Sequence, residues 1–277
     1  MDKTSWDRAA RRRGPVSGRV AIVTGAGRGI GAACARALAA DGWQLVLVDR
    51  AADDATLPYP LATEADLDRV VADCGRDHTV GVKADVRDQG GLDDAVALAM
   101  ARFGGLDAAL AAAGCIAGAP GWTADDDLWS AMIDINLGGV RRLARAAVPA
   151  LLERPEPRSG RFVAISSAGG TLGLPLLTAY TAAKHGVNGF IRSLAAELGP
   201  LGITANAVAP GSTATAMLDA SAAVYGLSDV SEFTVHHQLG RLVQPEEVAS
   251  LVCWLCGPAS AAITGAVLPV DAGMTAG

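Results

Sequence analysis

Val20-Ala21-Ile22-Val23-Thr24-Gly25-Ala26-Gly27-Arg28-Gly29-Ile30-Gly31 runs from an apolar, β-branched segment through a glycine turn into an Ala-rich stretch. Residues 19–24 read as a buried strand and residues 29–41 as a helix. Glycines between them allow a tight turn and a close backbone approach, so that amides at the helix N-terminus can meet a pyrophosphate. The next strand-like segment, 44–49, ends in Asp49, eighteen residues beyond Gly31. A carboxylate there is placed to accept adenosine ribose hydroxyls. Its charge repels a 2′-phosphate, which favours NAD over NADP. Arg28 and Arg50 keep that choice open, because either could approach a phosphate.

The alternation continues along the chain. Further strands are expected at 79–84, 106–111, 161–166, 203–208 and 266–270, with helices at 63–74, 91–103, 125–152, 178–198 and 245–256. Apolar strands alternating with helices indicate a parallel sheet covered on both faces, here one doubly wound α/β domain of residues 18–277. Residues 1–17 read as a flexible N-terminal tail. Two stretches exceed a minimal alternation. One is an insertion at 50–62, just before a helix whose expected N-cap is Thr63. The other is 212–240, which reads as a loop lying over a substrate.

Composition narrows the class. The chain has 277 residues, 51% of them hydrophobic, with a formal net charge of −6. That balance argues against a nucleic-acid partner. No apolar run reaches the ~20 residues of a membrane span and no hydrophobic signal segment opens the chain, so a cytoplasmic location is expected. The five cysteines are scattered, and no metal-ligand cluster is evident. Cys253 and Cys256 form a CxxC late in an apolar helix, whereas a redox pair needs the helix N-terminus to lower its thiol pKa, so core packing is expected.

Tyr180 and Lys184 stand at i and i+4 on one helix face, and Ser167 precedes Tyr180 by thirteen residues. A free phenol is a poor base at neutral pH, but a cation held beside it stabilises the phenolate. A phenol, an ammonium and a hydroxyl at this spacing can move the proton of an alcohol. Asp85-Val86, at the end of the third strand, could flank adenine or simply be a solvated strand end.

Together these residues resemble the short-chain dehydrogenase/reductase family over nearly the whole chain after the tail. The resemblance rests on Thr24–Gly31, Asp49, Asp85-Val86, Asn136, Ser167, Tyr180-x-x-x-Lys184 and Pro210-Gly211. It implies a Rossmann-like fold with a seven-stranded parallel sheet and hydride transfer between NAD and a secondary alcohol or ketone. By the same resemblance Tyr180 is the general acid/base and Lys184 binds the nicotinamide ribose. Ser167 holds the substrate oxygen, and Asn136 holds a water linking Lys184 to solvent. Gly25, Arg28, Gly29, Ile30, Gly31, Asp49, Arg50, Asp85, Val86, Gly114, Pro210, Gly211, Thr213 and Thr215 complete the cofactor set. Thr213 and Thr215 could equally be capping or turn residues. A homo-oligomer, commonly a tetramer, is also implied, built on 125–152, 178–198 and the C-terminal strand.

Two departures stand out. Ala111-Ala112-Ala113-Gly114 replaces the family's Asn-Asn-Ala-Gly, removing an amide that steadies the central sheet. Asp271-Ala272-Gly273 replaces Asp-Gly-Gly. A narrower resemblance, to the mycofactocin-coupled branch, lies in Val48-Asp49-Arg50, Pro58-Tyr59-Pro60-Leu61-Ala62-Thr63, Asp66-Leu67, Arg154-Pro155-Glu156-Pro157-Arg158 and Pro210-Gly211-Ser212-Thr213. It implies firmly held NAD and mycofactocin as the external redox partner, with 57–61 covering the adenosine end. Leu172, Leu174, Leu176, Met217, Leu218, Tyr225, Phe233 and Trp122 suggest a lipophilic substrate. His236 and His237 could contact substrate, although polar loop positions are the expected reading. Two rivals remain: an ordinary exchanging NAD(P) reductase, and a non-catalytic dinucleotide-binding redox sensor, which would tend to lose the Tyr–Lys pair retained here.

Overall fold

Each inner strand of the sheet sends alternate side chains into two separate cores, and that alternation fixes the layers. In a computed structural model, which describes residues 18–276, seven parallel strands lie in the order β3-β2-β1-β4-β5-β6-β7. They are β1 Val20–Thr24, β2 Gln44–Asp49, β3 Thr79–Lys83, β4 Ala108–Ala111, β5 Arg161–Ile165, β6 Thr204–Pro210 and β7 Val267–Val270. Val20, Ile22, Val46, Val48, Phe162 and Ala164 enter one core, while Ala21, Val23, Leu45, Leu47, Val163 and Ile165 enter the other. Every one of these is buried, which explains why the strands read as near-continuous apolar runs.

The helices are α1 Gly29–Ala40, α2 Glu64–Cys74, α3 Gln89–Phe103, α4 Asp126–Ile133, α5 Gly139–Leu152, α6 Thr178–Leu198, α7 Ala216–Tyr225 and α8 Pro245–Cys256. Leu38 of α1, Val70 of α2 and Val252 of α8 cover one face. Leu92 of α3, Leu143 of α5 and Ile191 of α6 cover the other. Each such side chain contributes roughly 1.5–3 kcal/mol by leaving water. Cys34 and Cys256 are buried in the first of these layers, as packing residues. Thr63 caps α2 as the sequence suggests: its hydroxyl accepts from the Asp66 amide at 3.2 Å, and the Asp66 carboxylate accepts from the Thr63 amide at 2.9 Å.

Three expectations need correction. The stretch 125–152 is not one helix, because the π-turn Asp134–Gly138 separates α4 from α5. The segment 212–240 is not a plain loop: it carries α7 and the 3₁₀ helix Val230–His236. Leu218, Ala222 and Phe233 close a small core of their own there, with Tyr225 edge-on to Phe233 at 5.9 Å. His237 is buried, not a free polar loop residue. Its Nε2 accepts from the Ser212 amide at 3.2 Å and its Nδ1 faces the Arg241 carbonyl at 2.5 Å, tying the two ends of this segment together. The expected tail, 1–17, lies outside the described residues.

Beyond β7, Asp271 accepts from the Gly273 and Thr275 amides at 3.0 and 2.9 Å, forming the turn that packs on Gly211. Ala272 sits inside this turn at φ +51°, a left-handed conformation that costs a residue with a Cβ roughly 1–2 kcal/mol. Part of that cost would be offset by the greater unfolded-state freedom of glycine. Ala272→Gly is therefore expected to raise unfolding free energy by about 0.5–1 kcal/mol, read from the urea midpoint. A midpoint that stays or falls would show that the turn carries no such strain.

Candidate active site

Crossovers from β1 leave to β2 on one side and, from β3, return to β4 on the other. This creates a crevice where Thr24 of β1 pairs with Ala111 of β4. The glycine turn fills its edge. Gly25 lies at φ +68°, and a Cβ on it would stand 2.6 Å from the Ala113 backbone. A Cβ on Gly31 would stand 2.0 Å from the Gly25 carbonyl oxygen. The Ala111-Ala112 departure is met by Thr24, whose hydroxyl donates to the Leu110 carbonyl and accepts from the Ala113 amide, both at 3.4 Å. Helix α1 opens at Arg28 without a side-chain cap. Gly29, Ile30 and Gly31 line the cavity, so first-turn amides that need acceptors lie at its wall.

That cavity has a volume of about 1280 Å³ and runs along the C-terminal ends of the strands. All sixteen positions expected to bind the cofactor, Tyr180 and Lys184 included, line it. Asp49 accepts from the Gly27 amide at 2.8 Å and the Ala51 amide at 3.0 Å, one on each oxygen. Lone pairs remain for ribose hydroxyls. Asp85 is ion-paired with Arg87 at 2.7 Å. Thr213 and Thr215 hydroxyls donate to the Gly211 and Thr213 carbonyls at 3.0 and 3.3 Å, so both also serve the local turn. A pyrophosphate at the glycine turn and a ribose at Asp49 fit this arrangement.

Ser167, Tyr180 and Lys184 come together at the other end. The Ser167 hydroxyl accepts from the Gly169 amide at 3.0 Å, which leaves its own proton to donate to Tyr180. Burial pushes the Tyr180 phenol up to about 12, against the Ser167 hydrogen bond that pulls it down. Burial likewise pushes Lys184 down to about 8. Its ammonium donates to the Ile165 carbonyl at 2.9 Å and lies 5.6 Å from the centre of the Tyr180 ring. In the protein alone, then, burial outweighs the stabilising effect expected of Lys184, and the resting phenol is protonated at neutral pH.

Asn136 behaves differently from the rest. It sits on the π-turn, fully buried, behind the cavity wall rather than in it. Its Nδ2 donates to the Cys115 and Met132 carbonyls at 3.0 Å, and its Oδ1 accepts from the Cys115 amide at 3.2 Å. A Cβ on Gly114 would lie 3.0 Å from that oxygen and 3.7 Å from the Lys184 ammonium, so glycine lets the two approach. Leu176 and Trp122 do not line the cavity, and Trp122 is 89% exposed. Leu172, Leu174, Met217, Leu218, Tyr225 and Phe233 do line it.

Several residues escape a reading by motif. Asp54 binds Arg50 and Arg87, and the Tyr59 hydroxyl accepts from the Ile116 amide at 3.0 Å across the crevice. Asn188 donates to the Gly170 carbonyl at 2.8 Å and clamps the turn after Ser167 onto α6. The available signals were slight: Asp54 is four residues beyond Arg50, and Asn188 is four beyond Lys184. Among the described residues, no group of His, Cys, Asp or Glu is placed to hold a metal ion, and no helix is long and apolar enough to cross a membrane.

Comparison with known proteins agrees with the geometry. A family model described as Enoyl-(Acyl carrier protein) reductase matches residues 25–275. (−)-trans-Carveol dehydrogenase of Rhodococcus erythropolis is 37% identical, over 94% of this chain and 98% of that protein. Trans-4-hydroxycyclohexanecarboxylate dehydrogenase of Sinomonas cyclohexanicum is 35% identical, over 95% of each. The crystal structure of carveol dehydrogenase from Mycobacterium avium in complex with NAD superposes with a TM-score of 0.90. It is 34% identical, over 95% of this chain and all of that one.

Proposed function

The chain belongs to the short-chain dehydrogenase/reductase family, and from that premise we propose that it is an NAD-dependent oxidoreductase interconverting a small lipophilic secondary alcohol and its ketone. The observation that carries this reading is one continuous cavity. It joins the glycine turn and Asp49 at one end to Ser167, Tyr180 and Lys184 at the other. When bound, NAD supplies the hydride acceptor and a positively charged ring.

In the oxidative direction Ser167 and Tyr180 hold the alcohol oxygen, and Tyr180, as phenolate, takes its proton. Ser167 then stabilises charge developing on that oxygen. Lys184 keeps a cation beside the phenol and binds the nicotinamide ribose. Asn136 fixes the Cys115 segment next to Lys184, and a relay from Lys184 through water to solvent is the role its position suits. In reduction Tyr180 returns the proton. The apolar lining of α7 and its neighbours suits a cyclic lipophilic substrate, as the carveol and hydroxycyclohexanecarboxylate relatives also suggest.

A finer reading is that NAD stays bound between turnovers and that mycofactocin removes the reducing equivalents. Support for retention comes from the insertion, whose Leu57 and Leu61 line the cavity while Tyr59 bridges to Ile116. Mycofactocin itself rests on the sequence resemblance. Assembly as a homotetramer through α4, α5, α6 and the C-terminal strand rests on the family resemblance.

Mass spectrometry of nucleotide released from freshly purified, denatured protein tests this, together with carveol oxidation with and without added NAD. The expected result is NAD on the purified protein, one turnover of carveol, and no sustained turnover on adding NAD alone. Protein that carries no NAD yet turns over freely with added NAD would sink retention while leaving the dehydrogenase. Failure to bind any dinucleotide would sink both.

A further inference from the structure

Four arginines, Arg28, Arg36, Arg50 and Arg87, line the end of the cavity that holds Asp49. So many cations around a ribose site would ordinarily welcome a phosphate dianion. Their partners say otherwise. Arg36 is paired with Asp73 at 2.9 Å, and the Arg28 guanidinium lies 5.9 Å over the Tyr59 ring. Arg50 is paired with Asp54 and lies 3.5 Å from Asp85. Arg87 reaches Asp54 at 2.6 Å and Asp85 at 2.7 Å. Two guanidiniums thus share two carboxylates, and the cluster is neutral.

Asp54 is the hidden member of this cluster. Its side chain is 5% exposed, against 32% and 29% for Arg50 and Arg87, and it does not line the cavity. Its other oxygen accepts from the Thr56 amide and hydroxyl at 3.0 and 2.7 Å, which locks the carboxylate into the insertion. Asp85, by contrast, lines the cavity beside Val86 and can meet the cofactor itself. Changing Asp54 therefore alters what the arginines are free to do without removing a cofactor contact.

We propose that Asp54 is a specificity-determining residue: it holds Arg50 and Arg87 against the insertion, so that neither can neutralise a 2′-phosphate, and thereby enforces NAD over NADP. The inference rests on the dinucleotide reading of this cavity. Asp49 repels the phosphate directly, and Asp54 withholds the charges that would compensate. Without the Asp54 charge, Asp85 alone faces two guanidiniums and the cluster carries a net positive charge at the ribose end.

The test uses the purified 277-residue chain. Wild type, Asp54→Asn and the triple variant Asp54→Asn/Arg50→Gln/Arg87→Gln are each stripped of retained nucleotide and then equilibrated with equimolar NAD and NADP. The bound nucleotides are then quantified by mass spectrometry after desalting. Asparagine keeps an acceptor for the Thr56 amide and turns an uncharged amide donor toward the two guanidiniums, so neither can be held there. Wild type should hold NAD almost exclusively. Asp54→Asn should raise the bound NADP:NAD ratio about tenfold or more, and the triple variant should lose that gain. A ratio in Asp54→Asn within twofold of wild type overturns the proposal, including the case in which both nucleotides weaken together because the insertion has loosened. A gain that survives in the triple variant overturns it as well. Wild-type protein that binds neither nucleotide removes the cavity reading from which the proposal starts.

Discussion

Tyr180→Phe is expected to lower kcat/KM for alcohol oxidation by about a thousandfold, near the middle of the range for a positioned acid/base. That corresponds to roughly 4 kcal/mol of transition-state stabilisation. NAD content should be unchanged, because the ring that packs between Gly169 and the core remains and only the hydroxyl is removed. Wild-type oxidation should also rise with pH from neutrality upward, since burial holds the phenol up near 12 and only the phenolate accepts a proton. Ketone reduction needs the protonated form and should persist to alkaline pH, falling only as the phenol ionises. The variant should show neither limb attributable to Tyr180. Activity within threefold of wild type, with the same rising limb, would exclude Tyr180 as the base.

Gly31→Ala is expected to abolish dinucleotide binding. The added Cβ would lie 2.0 Å from the Gly25 carbonyl oxygen and 2.8 Å from its carbon, and both are backbone atoms with no side-chain rotamer to yield. Gly25 in turn cannot retreat, because it already rests against the Ala113 backbone. The turn must open, which displaces the α1 amides from the pyrophosphate position. A loss of about 3 kcal/mol in stability fits overpacking at such a site. NAD should be absent from the purified variant, and affinity measured by calorimetry should fall at least a hundredfold. A variant that retains NAD at wild-type occupancy would mean that the glycine turn is not where the pyrophosphate binds.

Much of the fold was legible from the chain because its signals are local. All seven expected strands occur, with ends that move by no more than two residues, since an apolar β-branched run buried on both faces needs no distant partner to declare itself. The glycine turn, Asp49 and the Tyr180–Lys184 spacing were readable for the same reason. Helix α7 was not. Its Ala-rich run lacks a clear apolar stripe, and it gains hydrophobic contacts from Phe233, eight residues beyond its end. The π-turn escaped because one extra residue in a helical turn leaves composition unchanged, yet it determines how Asn136 meets Cys115.

By itself, then, the sequence determined the order of the elements, the turn that can meet a pyrophosphate and the residues able to move a proton. Tertiary structure decided which of them face one cavity and in what electrostatic state. Asp54 meets Arg87 across 33 residues and Tyr59 meets Ile116 across 57, only because the β2–α2 and β3–α3 connections end on the same edge of the sheet as the segment after β4. The protonation of Tyr180 and Lys184 was decided there too, because desolvation depends on everything packed around a group and not on its neighbours in the chain.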